Sequence, residues 1–491
     1  MTDRTGHGDA AVEPAAGGGS DGGAVAFGTR RGRGVLWATV LGSGVAQLDA
    51  TVVTVALPRI GTDLDAGLVA LQWTVNAYTL TLSGLLLLGG SLGDRLGRRR
   101  VFLFGVLWFT VASIGCAAAP TAAALVALRA LQGVGAALLT PGSLAILQAV
   151  FRPADRATAV GAWSGLGGVA SAIGPVLGGL LVGLAGWGWR LAFLINVPLA
   201  AVVVLLAVRF VPETRDEQAG GRVDVGGTVL AALGLAGVVL GLTDGPAHGW
   251  GPVPVVAVAA GVLLLAGFVA LEGRLRHPLM PLSLWRDREF AAANLVTLAV
   301  YAALSGALFL LPVQLQRVLG YTPVQAGTAV LPITAVMLLL SARMGRWAAR
   351  IGPRLPMTVG PLVAGTGLAL LARVGPGSGF LGAVLPALLV FALGLSTTVA
   401  PLTATVLAAA PQHWVGIASA VNNDVARVAG LLAVAVLPGL AGLTPEAYQD
   451  PASLSAAFRH AVLIAGALCA AGGLLAALTI RNPLATPEPV R

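Results

Sequence analysis

Apolar residues run along this chain in long blocks, not at the alternating spacing of half-buried strands or the 3.6-residue spacing of soluble helices. Fourteen blocks are legible, at 35–57, 71–92, 101–119, 121–141, 158–183, 191–211, 225–244, 253–272, 289–311, 323–345, 355–373, 379–401, 414–437 and 460–480. Each is ~20 residues long, enough for a helix to cross a ~30 Å hydrocarbon core. A β-barrel would show ~10-residue alternating segments instead. Glycine and proline are frequent inside the blocks, as membrane-spanning helices tolerate. The pattern predicts an all-α integral membrane protein with fourteen transmembrane helices. Polar stretches at 212–224 and 273–288 bracket the seventh and eighth blocks. They divide the chain into a six-helix bundle (35–211), a two-helix insertion (212–288) and a second six-helix bundle (289–480). Residues 1–34, rich in glycine and alanine with scattered charge, predict a disordered tail. Residues 481–491 form a short second tail.

Composition agrees. The chain is 56% hydrophobic and 10% charged, against roughly 25% charge in soluble domains, and mean hydropathy is +0.86. A net charge of +9 would suit a nucleic-acid partner, but all thirty basic residues are arginines gathered in short loops. They read as topology signals, and no nucleic acid is expected. Twenty-three arginines fall on the side of the two termini and five on the other. Arginine excess marks the cytoplasmic side, so both termini are expected in the cytoplasm and the chain in the cytoplasmic membrane, which requires an even number of helices. Trp187, Trp189 and Trp250 fall at expected outer helix ends and Trp285, Trp347 and Trp414 near inner ends, as in an interfacial belt. Arg30-Arg31 precedes a run too long for a signal peptide, and that run contains Asp49. It is read as a retained first helix. Cys116 and Cys469 lie inside spans and read as small buried hydrophobes.

Charged and small residues inside or beside the spans carry the candidate chemistry. Between the second and third spans stands Gly90-Ser91-Leu92-Gly93-Asp94-Arg95-Leu96-Gly97-Arg98-Arg99-Arg100; Arg350-Ile351-Gly352-Pro353-Arg354 echoes it between the tenth and eleventh, with Ala349 where Asp94 would align. A repeat across two halves fits a transporter whose central site opens to either side by rocking. Asp94 could pair with arginines or a helix N-terminus in one state and release in the other. Arg129 sits deep in an apolar helix, at a cost of ~2.5–3.5 kcal/mol unless paired or hydrated. Gln132 shares its face. Asp49 is the only acid deep in the first bundle; burial disfavours its charge and an arginine partner favours it. Asp49 and Arg129 are the expected proton-coupling pair, with a purely structural ion pair as the alternative. Ser43, Gln47, Thr51 and Thr54 form a polar stripe from which Asp49 lies well off. One face of this helix would line a cavity and the other meet the fourth helix, in an order the sequence leaves open. Gly167, Ser171, Pro175 and Gly178 form a small-residue stripe for close helix packing. Asn423, Asp424 and Arg427 lie in the thirteenth span. Asp424 and Arg427, three apart, read either as a second titratable or substrate-recognition site, or as a mutually neutralising pair at the cytoplasmic mouth.

These segments resemble the major facilitator superfamily. The 90–100 stretch is similar to its signature loop, which implies a conformational gate at Gly90, Gly93, Asp94, Arg95, Gly97 and Arg98. Leu125–Ala137 resembles the fourth-helix motif of proton-coupled members. Gly165 with Gly174, Pro175, Gly178 and Gly179 resembles the fifth-helix motif of exporters, which implies export by antiport. Leu48–Pro58, Gly188–Pro198 and Gln325–Pro332 resemble the fourteen-helix drug:proton antiporter family. The resemblance spans roughly residues 35–480. It implies a monomeric exporter of amphipathic small molecules (drugs, antibiotics, toxic metabolites), driven by protons and without a cofactor. Gln47, Thr51, Gln132, Asn423, Asp424 and Arg427 are candidate cavity residues. The alternative is a dedicated exporter of one endogenous antibiotic or metabolite. An enzyme is disfavoured: five histidines form no His-Glu-x-x-His, and no metal cluster is expected. A chain without lysine carries no Walker A lysine, which excludes an ATP-driven pump. A sensor or channel would not need the exporter motif.

Overall fold

The computed structural model describes residues 25–216, 224–275, 278–411 and 414–482. Among them fourteen helices are long and apolar enough to span a bilayer: α1 Arg30–Asp63, α2 Leu68–Leu96, α3 Arg98–Ala118, α4 Ala122–Val150, α5 Pro153–Gly183, α6 Gly188–Phe210, α7 Val225–His248, α8 Pro252–Glu272, α9 Arg288–Val318, α10 Pro323–Ile351, α11 Arg354–Leu371, α12 Phe380–Ala408, α13 Val415–Leu440 and α14 Pro451–Thr479. The protein is all-α and multi-pass. Helices whose backbone groups pair within themselves are what a bilayer demands, since lipid offers those groups no partner.

Helix ends follow capping chemistry rather than hydropathy, and several differ from the expected spans. The side chain of Thr29 accepts from the Gly32 amide, so α1 starts at Arg30. The last ten residues of the expected disordered tail are ordered. The Val25 amide donates to the Val150 carbonyl at 2.8 Å, and the Phe27 amide to Asp155 at 3.1 Å. The rest of that tail, 1–24, and most of the second tail lie outside the described residues. Asp450 caps α14 with Pro451 at its first position, nine residues before the expected start. Arg459 and His460 depress local hydropathy there without breaking the helix. Helix α4 runs through Pro141 to Val150.

The two bundles repeat each other eight helices apart. In the first, α1 packs on α5 and α6, α4 on α2 and α3, and α3 on α6. In the second, α9 packs on α13 and α14, α12 on α10 and α11, and α11 on α14. Even the turns correspond. Helices α2 and α10 each end at a glycine in the left-handed region, Gly97 at φ 109° and Gly352 at φ 87°, where a side chain would be strained. Helices α7 and α8 pack chiefly on each other, with Gly234, Gly237 and Gly241 allowing the α8 backbone close. Helix α7 bridges the bundles through Val239, which clusters with Leu80 of α2 and with Leu431 and Ala435 of α13. The most buried span is α1 and the least is α8. The near face below is the end where α1 begins and α2 ends; the far face is the opposite end.

Trp189 departs from the expected belt. It is fully buried, and its indole N–H donates to Asp63 at 2.7 Å. Trp187 and Trp250 are exposed, as interfacial rings are.

Candidate functional site

Helices α1, α3, α4 and α6 bring one polar cluster into the core of the first bundle. Arg129 Nη1 donates to Asp49 Oδ2 at 2.5 Å and to Gln132 Oε1 at 2.6 Å. Gln132 Nε2 donates to Asp49 Oδ1 at 2.9 Å and to Ser113 Oγ at 2.6 Å. Asn196 Nδ2 donates to the same Asp49 oxygen at 2.9 Å and to Ser113 at 3.0 Å. Arg129 Nε donates to the Thr74 carbonyl at 3.0 Å, and the guanidinium carbon stands 4.3 Å from the centre of the Tyr78 ring. Asp49 is 0% exposed and Arg129 1%. A buried charge pair is tolerable only when its remaining hydrogen-bonding capacity is filled, and Gln132, Asn196 and Thr74 do that here.

The opposite face of α1 meets a cavity. Gln47 and Thr51 line a space of about 230 Å³ with Tyr78, Thr140, Ser171 and Arg427. Ser171 donates to Gln47 at 2.9 Å. Thr54, Asn76, Thr79, Tyr301, Ser305, Asn423 and Arg427 line a larger space of about 390 Å³ between α1, α2, α9 and α13. Arg427 borders both spaces in the region between the bundles. Tyr78 is the wall that separates this region from the charge cluster: its ring covers Arg129 and its hydroxyl donates to the Ala46 carbonyl at 3.1 Å.

The far face is sealed between the bundles. A Cβ on Gly327 of α10 would fall on the Pro175 carbonyl of α5, and one on Gly179 on the Pro323 carbonyl of α10, so only glycine permits this approach. Gly174 and Gly178 lie equally tight on Thr51 and Val52 of α1. Gln72 donates to the Val434 carbonyl at 2.7 Å, and Gln316 to the Val55 carbonyl at 3.0 Å. Gly165 meets nothing within 4 Å. At the near face, a cleft of about 350 Å³ lies between α2, Pro141 of α4 and Ala420 of α13, bordered by Gly90, Asp94 and Arg95. Asp94 pairs with Arg98 at 2.8 Å. The loop docks on the segment after α6: Arg98 N–H to the Thr214 carbonyl, Asp216 N–H to the Asp94 carbonyl, and Arg99 to the Val211 carbonyl. The Gly93 carbonyl accepts from the Gly97 amide, closing the helix end.

Two expected cavity residues sit apart from the space that α1 borders. Gln132 is absent from the lining of both cavities beside α1 and is fully buried as a ligand of Asp49 and Arg129. Asp424 and Arg427 form no close ion pair among the described residues and border different spaces, although the Arg427 charge still bears on the Asp424 carboxylate. Asp424 borders a separate apolar pocket of about 230 Å³ beside α7 and α8, and its Oδ1 is buried with no hydrogen-bond partner among the described residues. Sequence reasoning passed over Ser113, Asn196, Tyr78 and Asn76 as site residues. Asn76 is fully buried, borders the larger cavity and has neither amide atom bonded among the described residues. A lone asparagine inside an apolar block was the available signal for Asn76 and Asn196.

Two repeated bundles around a polar, membrane-embedded cavity, sealed at one end and cleft at the other, define a transporter rather than an enzyme. The chain belongs to the Major Facilitator Superfamily, whose family model matches residues 39–434. Among similar proteins, the tetracenomycin C resistance and export protein of Streptomyces glaucescens is 35% identical over 82% of this chain and 76% of its own. The puromycin resistance protein of Streptomyces alboniger is 37% identical over 79% and 78%. A bacterial homologue of the human lysosomal transporter Spinster, solved in an inward-facing, unoccupied conformation, shares the fold with a TM-score of 0.67 at 19% identity, over 92% of this chain and 98% of that one.

Two outcomes follow from this geometry. Asp49→Asn leaves Arg129 buried without a counter-charge and costs about 3 kcal/mol; Asp49→Asn/Arg129→Gln recovers most of it. Thermal unfolding of the detergent-purified variants reads this, and a double variant no more stable than the single would sever the pair. In Gly183→Cys/Val324→Cys, a Cβ at 183 stands 3.3 Å from the Val324 side chain, within disulfide reach. Oxidation should lock the far face and stop transport until reductant is added. Unchanged transport by the fully cross-linked protein would show that the seal never opens.

Proposed function

We propose that this protein is a proton-coupled antiporter that exports amphipathic organic compounds across the cytoplasmic membrane by alternating access. Its relatives are resistance and export proteins, which supports efflux. The observation that carries the coupling is the position of α1. One face holds Asp49 in the charge cluster, the other lends Gln47 and Thr51 to the cavity, and Thr51 and Val52 carry α5 at the far-face seal. Protonation of Asp49 removes the charge that Arg129 faces and weakens the donor bonds from Gln132 and Asn196. Helix α1 is then free to shift on α4, and that shift reaches cavity and seal together. The proton gradient is the energy source; no cofactor is required. The arginine balance supports a cytoplasmic near face, and on that reading the near-face cleft is the opening through which substrate loads. The working unit is the monomer.

The signature loop serves as the gate at the near face. In this state Asp94 is held by Arg98 and its own linker; in the outward state the cleft beside Gly90 and Ala420 closes on it. The apolar walls and neutral polar groups of the cavity suit a range of amphipaths. A dedicated exporter of one metabolite is the second reading, and a narrow profile across a susceptibility panel would favour it.

Inverted membrane vesicles energised to a proton gradient should accumulate a fluorescent substrate, and a protonophore should collapse the signal. Asp49→Asn should abolish that component while the protein remains in the membrane. Accumulation that persists in Asp49→Asn would remove Asp49 from coupling. Asp94→Ala should slow turnover several-fold with substrate affinity little changed. Equal loss of both, or of neither, would refute the gate.

A further inference from the structure

The central region holds one uncompensated charge. Arg427 projects from the middle of α13, twelve residues past its start at Val415, and borders both parts of the cavity. No described residue forms an ion pair or hydrogen bond with its guanidinium, whereas Arg129 makes three hydrogen bonds, one of them its ion pair with Asp49. Two carboxylates stand in the neighbouring packing, and neither makes a close ion pair with Arg427, although the field of Arg427 reaches Asp424. Asp49 is bonded to Arg129 behind the wall of Tyr78. Asp424 opens into the apolar pocket against α7. What remains around Arg427 is neutral: Asn76 with its amide unbonded, Asn423, Thr79, Ser305, and apolar walls such as Leu304 and Leu308.

We propose that the substrates are amphipathic anions, bearing a carboxylate or an equally acidic enolate or phenolate that pairs with Arg427. This rests on the exporter reading above and narrows it. A guanidinium presents a planar fork of donors that matches a carboxylate in two parallel hydrogen bonds. An arginine kept at membrane depth without a partner is costly, so an entering anion relieves a cost already present, and an entering cation adds to it. The Asn76 amide supplies a second donor to the same ligand, and the apolar walls take its hydrocarbon body. Selection by charge and not by shape leaves the hydrocarbon portion free to vary, so breadth and charge preference are compatible.

The test compares two dyes with one xanthene core, anionic fluorescein and cationic rhodamine 123, on the purified full-length protein by fluorescence polarisation. Fluorescein should bind at least tenfold more tightly. Arg427→Gln should weaken fluorescein about tenfold or more, the size of a lost charged hydrogen bond, and leave rhodamine 123 unchanged or improved. Arg427→Lys should keep part of the preference. Tighter binding of rhodamine 123, or an equal loss of both dyes in Arg427→Gln, overturns the proposal. Protonophore-sensitive uptake of either dye into inverted vesicles keeps the exporter reading separate: uptake of the cation alone sinks the anion preference and leaves export standing, and neither binding nor uptake of either dye sinks both.

Discussion

A charge pair in the interior of a membrane protein must be neutralised by geometry, and the pair of Asp49 and Arg129 decides how the first bundle is assembled. Hydrocarbon offers neither water nor counter-ions, so every lone pair of the carboxylate and every N–H of the guanidinium has to meet a protein group. Gln132, Asn196 and the Thr74 carbonyl do so from α4, α6 and α2, and Ser113 of α3 accepts from Gln132 and Asn196 behind them. Four helices are thereby tied to α1 at one level. Apolar packing alone would allow α1 to turn or slide with little penalty, because lipid tails and leucines are equally greasy. The polar cluster removes that freedom, and in doing so fixes which face of α1 looks into the cavity.

Helix α1 connects otherwise separate parts. Its Gln47 and Thr51 border the cavity, its Thr51 and Val52 receive Gly174 and Gly178 of α5, and α5 in turn meets α10 of the second bundle through Gly179 and Gly327. The glycines are needed at those points because the backbones themselves touch. A sealing surface made of backbone is rigid and has little side-chain entropy to lose, so it suits contacts that form and part as units. The asymmetry of the two ends follows from composition: small residues join the bundles at the far face, while the near face carries arginines, Asp94 and the cleft.

Much of this was legible in the chain. Fourteen spans, the repeat of Gly97 at Gly352 and the separation of Asp49 from the polar stripe of α1 follow from block length, glycine position and helix periodicity. The spacing of Asp49 from Gln47 and Thr51 required that α1 serve two neighbours, but not which neighbour takes which face. Periodicity describes one helix at a time, so it could not place Asp424 against α7 and Arg427 against the cavity, although they are three residues apart. They stand only ~60° apart on α13, but that helix lies at the boundary between the bundles and the insertion, so neighbouring positions border different spaces. Gln132 was misplaced for the same reason: a polar residue on an apolar helix announces a partner, and only the packing says whether that partner is a ligand or Arg129. Hydropathy erred at α14, where Asp450 and Pro451 define the start and Arg459 and His460 obscure it.

The repeat makes the differences between the bundles informative. In the second bundle, the pairing of α9 with α13 corresponds to that of α1 with α5. There the polar contact is neutral: Asn422 donates to Asn294 at 3.1 Å and to Thr297 at 2.8 Å. No buried ion pair corresponds to Asp49 and Arg129 among the described residues of that bundle. The same scaffold therefore carries a titratable carboxylate in one half and an unpaired cation, Arg427, in the other. On the proposed reading, a proton would change the charge of the first bundle and an anionic ligand that of the second. In that reading, rocking of one bundle against the other would be the motion both events share, and a backbone seal at one end with a cleft at the other is compatible with it.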